Sequence, residues 1–217
     1  MYNDRMPANS FEIRKCDSCG LRYPFIVGHR IGTRCPVCMG ETRVLLSRSL
    51  LTESTRELNL SPASQPHPQR AVILDNIRSA WNVGSILRSA DGFGFTHVYA
   101  CGITPTPDNE AVIKTSLGAE ASVPWSYHKD AVKLVKGLQK EGWKIFALEE
   151  DKLANEIRSA TNENQDLALV VGNEVTGVDP DLLDLCDDIL MIPMSGEKKS
   201  FNVAVAFGIA AYAVTNK

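Results

Sequence analysis

The stretch "AVILDNIRSAWNVGSILRSADGFG", residues 71–94, determines the class of fold. Its first five residues are almost continuously apolar, which is typical of a strand that is buried on both faces of a sheet. Val83, Ile86, Leu87 and Ala90 then follow the i, i+3, i+4, i+7 spacing of a helix with one apolar face. A buried strand that leads directly into an amphipathic helix favours a parallel sheet covered by helices.

Arg88 does not belong to the apolar face of this helix. On a helical wheel it lies roughly 140° from the centre of that face, so it does not pack into the core. Asn82 lies near the start of the helix, and the turn after the helix contains Gly92 and Gly94. Arg88 is therefore a candidate functional residue, and the alternative is a surface ion pair with Asp91 at i+3.

The pattern of a continuously apolar strand recurs four more times along the chain. These strands are "HVYAC" (97–101), "WKIFALE" (143–149), "LALVVG" (167–172) and "DILMIP" (188–193). Helical stretches such as "KDAVKLVKGLQKEG" (129–142) lie between most of them. The sequence thus predicts an α/β fold, a parallel sheet with helices on both faces.

Charge and composition divide the chain into two parts. Residues 1–70 carry a net charge of +4 and residues 71–217 a net charge of −7. Because the larger part is acidic overall, any nucleic-acid site must be confined to a limited region of the surface. The proline-rich stretch 59–70 predicts a linker between a small segment, 1–58, and a larger domain, 71–217. No apolar run is long enough to span a membrane and the N-terminus has no secretory pattern, so we expect a cytoplasmic protein without a membrane partner.

Two CxxC pairs lie in the small segment, Cys16 with Cys19 and Cys35 with Cys38. Four thiolates at this spacing suit a tetrahedral metal ion, and the segment resembles a zinc ribbon. Its core is too small to fold alone, so we expect a structural Zn²⁺ to stabilise it, with iron in the same site as an alternative. The alternatives are two disulfides, which a cytoplasmic chain disfavours, and a thioredoxin-type redox pair, which requires a different fold around it. The other two cysteines are expected to be buried thiols.

Basic and aromatic side chains are interleaved around these cysteines. They are Arg14, Lys15, Arg22, Arg30, Arg34, Arg43 and Arg48, with Tyr23, Phe25 and His29. Such a pattern suits RNA, because cations attract phosphates and aromatic rings stack on bases. The alternative is a solvated ribbon surface that docks on its own protein.

Two common nucleotide-binding motifs are absent from the sequence. No GxGxxG follows any predicted strand, and "SGEKKS" (195–200) lacks the earlier glycine of a P-loop. Neither a nicotinamide enzyme nor a P-loop enzyme is supported.

Two further polar loops follow predicted strands, "LVVGNEVTG" (169–177) and the loop within "ILMIPMSGEKKSFNVAVAFGIAAY" (189–212). Taken singly, Glu174 could cap a helix near residues 180–185, and Ser200 could be the N-cap of the last helix. Each of these loops is weak evidence when it is considered alone.

Together and in this order, three stretches closely resemble the motifs of the SpoU/TrmH family. They are "NVGSILRSADGFG" (82–94), "GNEVTG" (172–177) and "IPMSGEKKSFNVAVA" (192–206). Members of this family are SPOUT-class, S-adenosylmethionine-dependent methyltransferases that act on ribose 2′-hydroxyls of tRNA or rRNA. The resemblance covers about residues 71–217 and implies a C-terminal trefoil knot, an exception to the usual absence of knots.

The resemblance also implies the site residues. Leu148, Gly172, Ile192 and Phe201 would bind the cofactor, with Phe201 standing where the family usually has leucine. Arg88, Asn82, Glu174, Ser200 and Asn202 match the catalytic positions. A guanidinium hardly loses its proton near neutral pH, so Arg88 is expected to stabilise the developing alkoxide and clamp a phosphate. Glu174 would orient Arg88, while Ser200 and Asn202 would hold their loop and contact RNA.

The last predicted helix is apolar on all sides from Val203 to Val214, apart from the hydroxyl of Tyr212. A helix of this kind must be covered all round, yet this one is too short for a membrane. We expect one side to pack on its own sheet and the other on a second copy. The homodimers of the family agree with this expectation.

Two other functions compete with a ribose methyltransferase. One is a non-catalytic zinc-ribbon RNA-binding protein with a degenerate methyltransferase domain, although the polar motif positions are all present. The other is a base methyltransferase from another SPOUT branch. The sequence does not identify the RNA.

Overall fold

A computed structural model describes residues 10–28, 33–50, 68–151, 154–157, 165–198 and 200–215. The chain divides into two compact units, with the division between Ala63 and Ser64. The predicted linker, 59–70, lies outside the described residues except for 68–70, and so do His29 and Arg30. The domain boundaries therefore stay a prediction.

The N-terminal unit is a three-stranded antiparallel sheet with the strand order β2-β1-β3. Its strands are β1 Ser10–Cys16, β2 Arg22–Ile26 and β3 Thr42–Ser49. A β-bulge shifts the register of β1 against β3 between Ile13 and Arg14. Cys16 ends β1, so the sheet leads directly into the first cysteine pair.

The C-terminal unit contains a seven-stranded parallel sheet with the order β6-β5-β4-β9-β7-β10-β8 within the described residues. The strands are β4 Arg70–Asp75, β5 His97–Cys101, β6 Trp125–His128, β7 Lys144–Leu148, β8 Asn155–Glu156, β9 Leu167–Val171 and β10 Asp188–Met191. The helices are α1 Ala80–Gly92, α2 Glu110–Ser116, α3 Ala119–Ser122, α4 Ala131–Lys140, α5 Pro180–Leu183 and α6 Val203–Thr215.

The predicted fold class and all five predicted strands are confirmed. The sequence did not reveal β6 and β8, because β6 is only half-buried at the end of the sheet and β8 is two residues long. Neither strand shows the continuous apolar run that marked the others. The predicted trefoil knot stays a prediction.

Helices cover both faces of the parallel sheet. Along β4, Val72 and Leu74 pack in one apolar core with α1 and α6, while Ala71 and Ile73 pack in another core with α4. Successive side chains of a strand point to opposite faces, so a strand covered on both sides is apolar at every position. This double burial explains the unbroken apolar runs in the sequence.

α1 and α6 lie side by side and run in the same direction. Asn82 bonds Asn202 near their first residues and the ring of Phe93 meets that of Tyr212 near their last, and a Cβ built on Gly208 between them would lie 3.9 Å from Ser89 Oγ. α6 is apolar but has 13 residues, and none of the helices described combines the length and apolar character needed to cross a bilayer.

Gly84 should be required for the close packing of α1 on α2. A Cβ at this position would lie 2.6 Å from the carbonyl oxygen of Val112, whereas a Cβ at Gly137 in α4 would meet nothing within 4 Å. We expect Gly84→Ala to lower the free energy of unfolding by about 2 kcal/mol. The matched change Gly137→Ala should raise it by about 0.5–1 kcal/mol, since alanine favours a helix.

Urea unfolding monitored by tryptophan fluorescence measures both changes. All three tryptophans, Trp81, Trp125 and Trp143, lie in the C-terminal unit, so the signal reports that unit alone. Equal effects of the two substitutions would contradict the packing argument.

Candidate active site and metal centre

A cleft opens where three neighbouring parallel strands end. Leu148 of β7 lies in register with Val171 of β9 and with Leu190 of β10, so their carboxyl ends meet at one edge of the sheet. The cleft has a volume of about 570 Å³. Open α/β sheets bind their ligands at such an edge, beyond the carboxyl ends of the strands.

The structure brings the four predicted cofactor residues together in this cleft. They are Leu148, Gly172, Ile192 and Phe201. Val171, Leu190 and Val203 add apolar surface, so the floor is suited to a flat, weakly polar group. The assignment of these residues to cofactor binding stays a prediction.

A tightly built loop forms one rim of the cleft. Asn173 and Gly177 form an antiparallel bridge, and the side-chain oxygen of Asn173 accepts hydrogen bonds from the N–H groups of Val175 and Thr176 (2.9 and 3.2 Å). A Cβ on Gly172 would lie 2.5 Å from the carbonyl oxygen of Gly177. Only glycine permits the chain to leave β9 and fold back at this distance.

Two side chains that the sequence analysis did not single out hold this loop. Glu149, directly after β7, accepts a hydrogen bond from the N–H of Val178 (2.9 Å). Asn173 Nδ2 donates to the carbonyl oxygen of Asn76 (2.7 Å). The signal that could have identified Glu149 is an acidic residue at the end of an apolar strand, where a ligand edge is expected.

A hydrogen-bonded chain of side chains connects the three motif loops. The Glu174 carboxylate accepts bonds from the N–H groups of Arg78 and Ser79 (2.8 and 3.0 Å) and from Asn82 Nδ2 (2.9 Å). Asn202 Nδ2 then donates to Asn82 Oδ1 (3.0 Å). Residues more than 90 positions apart in sequence thus meet at the N-terminus of α1.

Neither Glu174 nor Ser200 has the helix-capping role that the sequence offered for it when each loop was considered alone. Glu174 does not cap the helix near residues 180–185, because the side chain of Asp179 accepts from Asp181 N–H at the start of α5. Ser200 is not the N-cap of α6, because Asn202 Oδ1 accepts from the N–H of Ala204 (2.9 Å). Ser200 instead lines the cleft.

Arg88 is exposed on α1 and does not line the cleft of its own chain. Among the residues that the structure describes, its guanidinium makes no hydrogen bond or ion pair, so the alternative pair with Asp91 does not form. Within the described part of one chain no hydrogen bond or ion pair joins Glu174 to Arg88, and the carboxylate accepts its bonds from Arg78, Ser79 and Asn82. The guanidinium is free to act on something outside its own chain.

The four ribbon cysteines come together as the spacing predicted. Their Sγ atoms all lie within 4.8 Å of one another, and the Cys16–Cys38 and Cys19–Cys35 pairs are 3.5 and 3.6 Å apart. Sulfur atoms around a tetrahedral zinc ion at 2.3 Å are about 3.8 Å apart, so the arrangement fits Zn²⁺.

Local hydrogen bonding favours the metal-binding thiolate at two of the four cysteines, since backbone N–H groups lower the pKa of Cys16 and of Cys35. The backbone N–H of Cys19 donates to Cys16 Sγ and lowers the pKa of the Cys16 thiol to about 6, and thiolate is the metal-binding form. At Cys38 the backbone N–H of Gly40 acts in the same direction, but the neighbouring thiols of Cys16, Cys19 and Cys35 together with burial outweigh it and raise the pKa to about 12. In the other unit Cys101 is buried and Cys186 half-buried, and burial raises the pKa of each thiol to about 12.

Comparisons with known proteins agree with this geometry. The family model described as "SpoU rRNA Methylase family" matches residues 69–212. The 23S rRNA (guanosine-2'-O-)-methyltransferase RlmB of Coxiella burnetii (strain RSA 493 / Nine Mile phase I) is 34% identical over 154 residues, which is 68% of this chain. The match spans 58% of that relative, less than two thirds of its length.

Two solved structures share the fold. The A. aeolicus TrmH/SpoU tRNA modifying enzyme is 26% identical with a TM-score of 0.62, and the match covers 68% of this chain and 75% of that one. The AdoMet-bound rRNA methyltransferase from Sinorhizobium meliloti is 23% identical with a TM-score of 0.65, and the match covers 68% of this chain and 56% of that one. At this identity the second likeness concerns the fold alone.

Removal of one ribbon thiol should abolish metal binding. We expect the protein to hold one zinc ion per chain and Cys19→Ser to lose it, with the ribbon unfolding as a result. Elemental analysis and circular dichroism measure the metal and the ribbon, and tryptophan fluorescence reports the C-terminal unit separately. The control Cys101→Ala should keep its zinc, and zinc retained by Cys19→Ser would contradict the site.

The Glu174 carboxylate should stabilise the fold in a pH-dependent way. Partial burial acts to raise its pKa, but the hydrogen bonds from Arg78, Asn82 and Ser79 outweigh burial and bring the pKa below its ordinary value. A group whose pKa is lower in the folded state stabilises above its unfolded pKa and loses this effect as the pH falls through its folded pKa. The carboxylate therefore contributes at neutral pH and not in strong acid.

We expect Glu174→Gln to cost about 1 kcal/mol of unfolding free energy at neutral pH. The difference from the parent protein should shrink as the pH falls below about 4.5. Urea unfolding at several pH values measures this, with Glu150→Gln, which removes the same charge from an exposed residue, as the control. A pH-independent difference would contradict the role of the charge.

Proposed function

The chain belongs to the SpoU rRNA methylase family, and we propose that it transfers a methyl group from S-adenosylmethionine to a ribose 2′-hydroxyl of tRNA or rRNA. The observation that carries this proposal is the Glu174–Asn82–Asn202 chain, which joins all three sequence motifs beside one cleft. The named activity of the Coxiella relative is consistent with it.

The cleft suits S-adenosylmethionine in size and in chemistry. Its volume lies within the range of small-molecule sites, and its apolar floor suits an adenine ring. Leu148, Gly172, Ile192 and Phe201 would hold the cofactor, with backbone N–H and C=O groups of the loops available to its polar edges. When bound, S-adenosylmethionine supplies a methyl carbon that is activated by a sulfonium centre.

The protein's own contribution is alignment and charge. In-line displacement requires the hydroxyl and the methyl carbon to be held in line while water is excluded. The poorly acidic ribose hydroxyl also needs stabilisation as it becomes an alkoxide. Arg88 supplies a permanent positive charge for this purpose and for an adjacent phosphate, but does not itself accept the proton.

A second copy of the chain would complete the site. Val205, Ile209 and Tyr212 form an exposed apolar stripe along α6, with Tyr212 61% exposed. This stripe lies beside α1, which carries Arg88 on an exposed position and Trp81 with 64% exposure. We propose a homodimer through this surface, in which Arg88 reaches a cleft that it does not reach within its own chain.

The ribbon segment, 1–58, would contribute RNA binding and target choice. The family match begins at residue 69, so the ribbon lies outside it. The cytoplasmic location stays a prediction.

Arg88→Ala should abolish methyl transfer while it preserves cofactor binding. Loss of one preorganised charge of this kind lowers the rate by about 10²–10³-fold. Because Arg88 lies outside the cleft, the dissociation constant for S-adenosylmethionine should stay within about twofold of the parent value. Transfer of a tritiated methyl group to bulk RNA and calorimetric titration of the cofactor measure the two effects.

Lys136→Ala on the exposed side of α4 serves as the control and should be fully active. Retained activity in Arg88→Ala would reject the role of Arg88. Failure of the parent protein to bind S-adenosylmethionine would favour the non-catalytic RNA-binding alternative. Methyl groups found on bases instead of alkali-resistant ribose positions would favour a base methyltransferase.

The homodimer should depend on the apolar stripe of α6. Ile209→Asp places a charge in that stripe and should convert a micromolar dimer into a monomer, because an unpaired buried charge is strongly unfavourable. Ile103→Asp introduces the same charge at a side chain that is 66% exposed in another part of the unit, and should stay dimeric. Sedimentation velocity distinguishes the species, and a monomeric parent protein would contradict the proposal.

A further inference from the structure

One face of the ribbon sheet combines basic and apolar side chains. Directly opposed residues of an antiparallel pair project from the same face, so the strand register assigns each side chain to a face. The face centred on Ile13, here named the basic sheet face, contains Phe11, Ile13, Lys15, Arg22, Pro24, Ile26, Arg43, Leu46 and Arg48. None of these nine residues is acidic.

A row of three cations crosses this face. Lys15 lies directly opposite Arg22 on one side and Arg43 on the other. Like charges placed opposite each other destabilise a sheet. Only Arg43 has an acidic partner among the described residues, Asp17 at 2.9 Å, and its side chain is still 61% exposed. The row is therefore unfavourable within the ribbon itself and is suited to a polyanion outside it.

Apolar side chains continue the same face beside the cations. Ile13 opposes Pro24 and Leu46 in the next row, and Phe11 opposes Ile26 and Arg48 in the row after it. Ile26 and Leu46 are 51% and 39% exposed, and Arg48 is exposed without a described hydrogen bond or ion pair. Rows two residues apart along a strand are about 7 Å apart, so charge and apolar surface alternate over short distances.

The opposite face of the same sheet is neutralised internally. Arg14 forms an ion pair with Glu12, donates to Thr42 Oγ1 (2.8 Å) and lies over the ring of Phe25 at 5.5 Å from its centroid. Glu12 and Arg14 are both buried. The ribbon therefore satisfies the arginine on one face and leaves the cations of the other available to a partner.

We propose that the basic sheet face binds an unpaired segment of the RNA substrate. The cations suit the phosphates, and the half-buried ring of Phe11 with the exposed aliphatic groups suits the faces of unstacked bases. A duplex would offer this face its phosphates but not its bases. The inference deepens the proposed function, because it rests on an RNA substrate and assigns its contact to a surface outside the family match.

The test uses the full-length, zinc-loaded protein. The probe is a fluorescent, mixed-sequence single-stranded RNA of about 20 nucleotides, long enough to exceed the site size of a small sheet domain. Anisotropy titrations between about 50 and 200 mM salt give the affinity and its salt dependence. Zinc content and circular dichroism confirm that each variant is folded.

The double variant Arg22→Gln/Arg48→Gln removes two cations from the face. We expect it to weaken binding about tenfold and to reduce the slope of log affinity against log salt by about 1.4, since each phosphate contact on a single strand contributes about 0.7. The matched control Lys136→Gln/Lys140→Gln removes the same charge from exposed positions on α4 and should change neither. Phe11→Leu keeps apolar packing but removes the ring, and should weaken binding about fivefold.

Equal losses in the two double variants would overturn the proposal, because the effect would then be one of net charge. Unchanged binding in Arg22→Gln/Arg48→Gln would also overturn it, which is the result expected if the face binds a protein instead. A duplex of the same sequence that binds as tightly as the single strand would overturn the assignment to unpaired RNA.

Methyl transfer in the same preparations separates this inference from the proposed function. Face-dependent RNA binding without any methyl transfer would leave the inference standing and reject the proposed activity. Methyl transfer by the parent protein, together with RNA binding that is unchanged in Arg22→Gln/Arg48→Gln, would support the proposed activity and reject the inference about the face.

Discussion

The hydrogen bonds of the Glu174 carboxylate are the constraint on which the rest of the site depends. This one group accepts from two backbone N–H groups before α1 and from the side chain of Asn82, which in turn accepts from Asn202. Three loops that follow different strands are thereby held in one arrangement. A helix N-terminus favours a negative charge, so the same contact stabilises α1 and positions the motifs.

The cleft and the reactive charge are built by different means. The cleft is the edge of a sheet whose strands are buried on both faces, and its loop is held by main-chain bonds together with Asn173 and Glu149. Arg88 lies apart from that cleft, on an exposed position of α1 beside the apolar stripe of α6. A single chain therefore has the proposed cofactor cleft without the cation proposed to act there, and the proposed assembly of two copies would bring them together.

The ribbon cannot be stabilised by a large apolar core as the C-terminal unit is. Only its central strand β1 has buried positions, while β2 and β3 have none. Such a sheet has little apolar area to bury, so a metal held by the four cysteines would supply stability that a core supplies in a larger domain. Because few of its side chains are needed for a core, the sheet can expose cations and apolar side chains on one face. That face is the surface proposed to bind RNA.

The elements whose environment is uniform can be predicted from the amino-acid sequence. Five strands buried on both faces showed continuous apolar runs, and the four cysteines showed the spacing of a metal site, because both patterns depend on local requirements. The motif resemblance likewise identified Gly172, Ile192 and Phe201, which the structure places in one cleft.

Which polar side chains meet depends instead on the folded arrangement of the strands. Glu174 accepts hydrogen bonds from the chain just before α1 and does not cap the helix near residues 180–185, and Asn202 has the capping role that was open to Ser200. The half-buried edge strand β6 was likewise invisible in the sequence pattern. A carboxylate or amide can satisfy its hydrogen bonds with many partners, so its choice depends on which strand ends the sheet order places side by side.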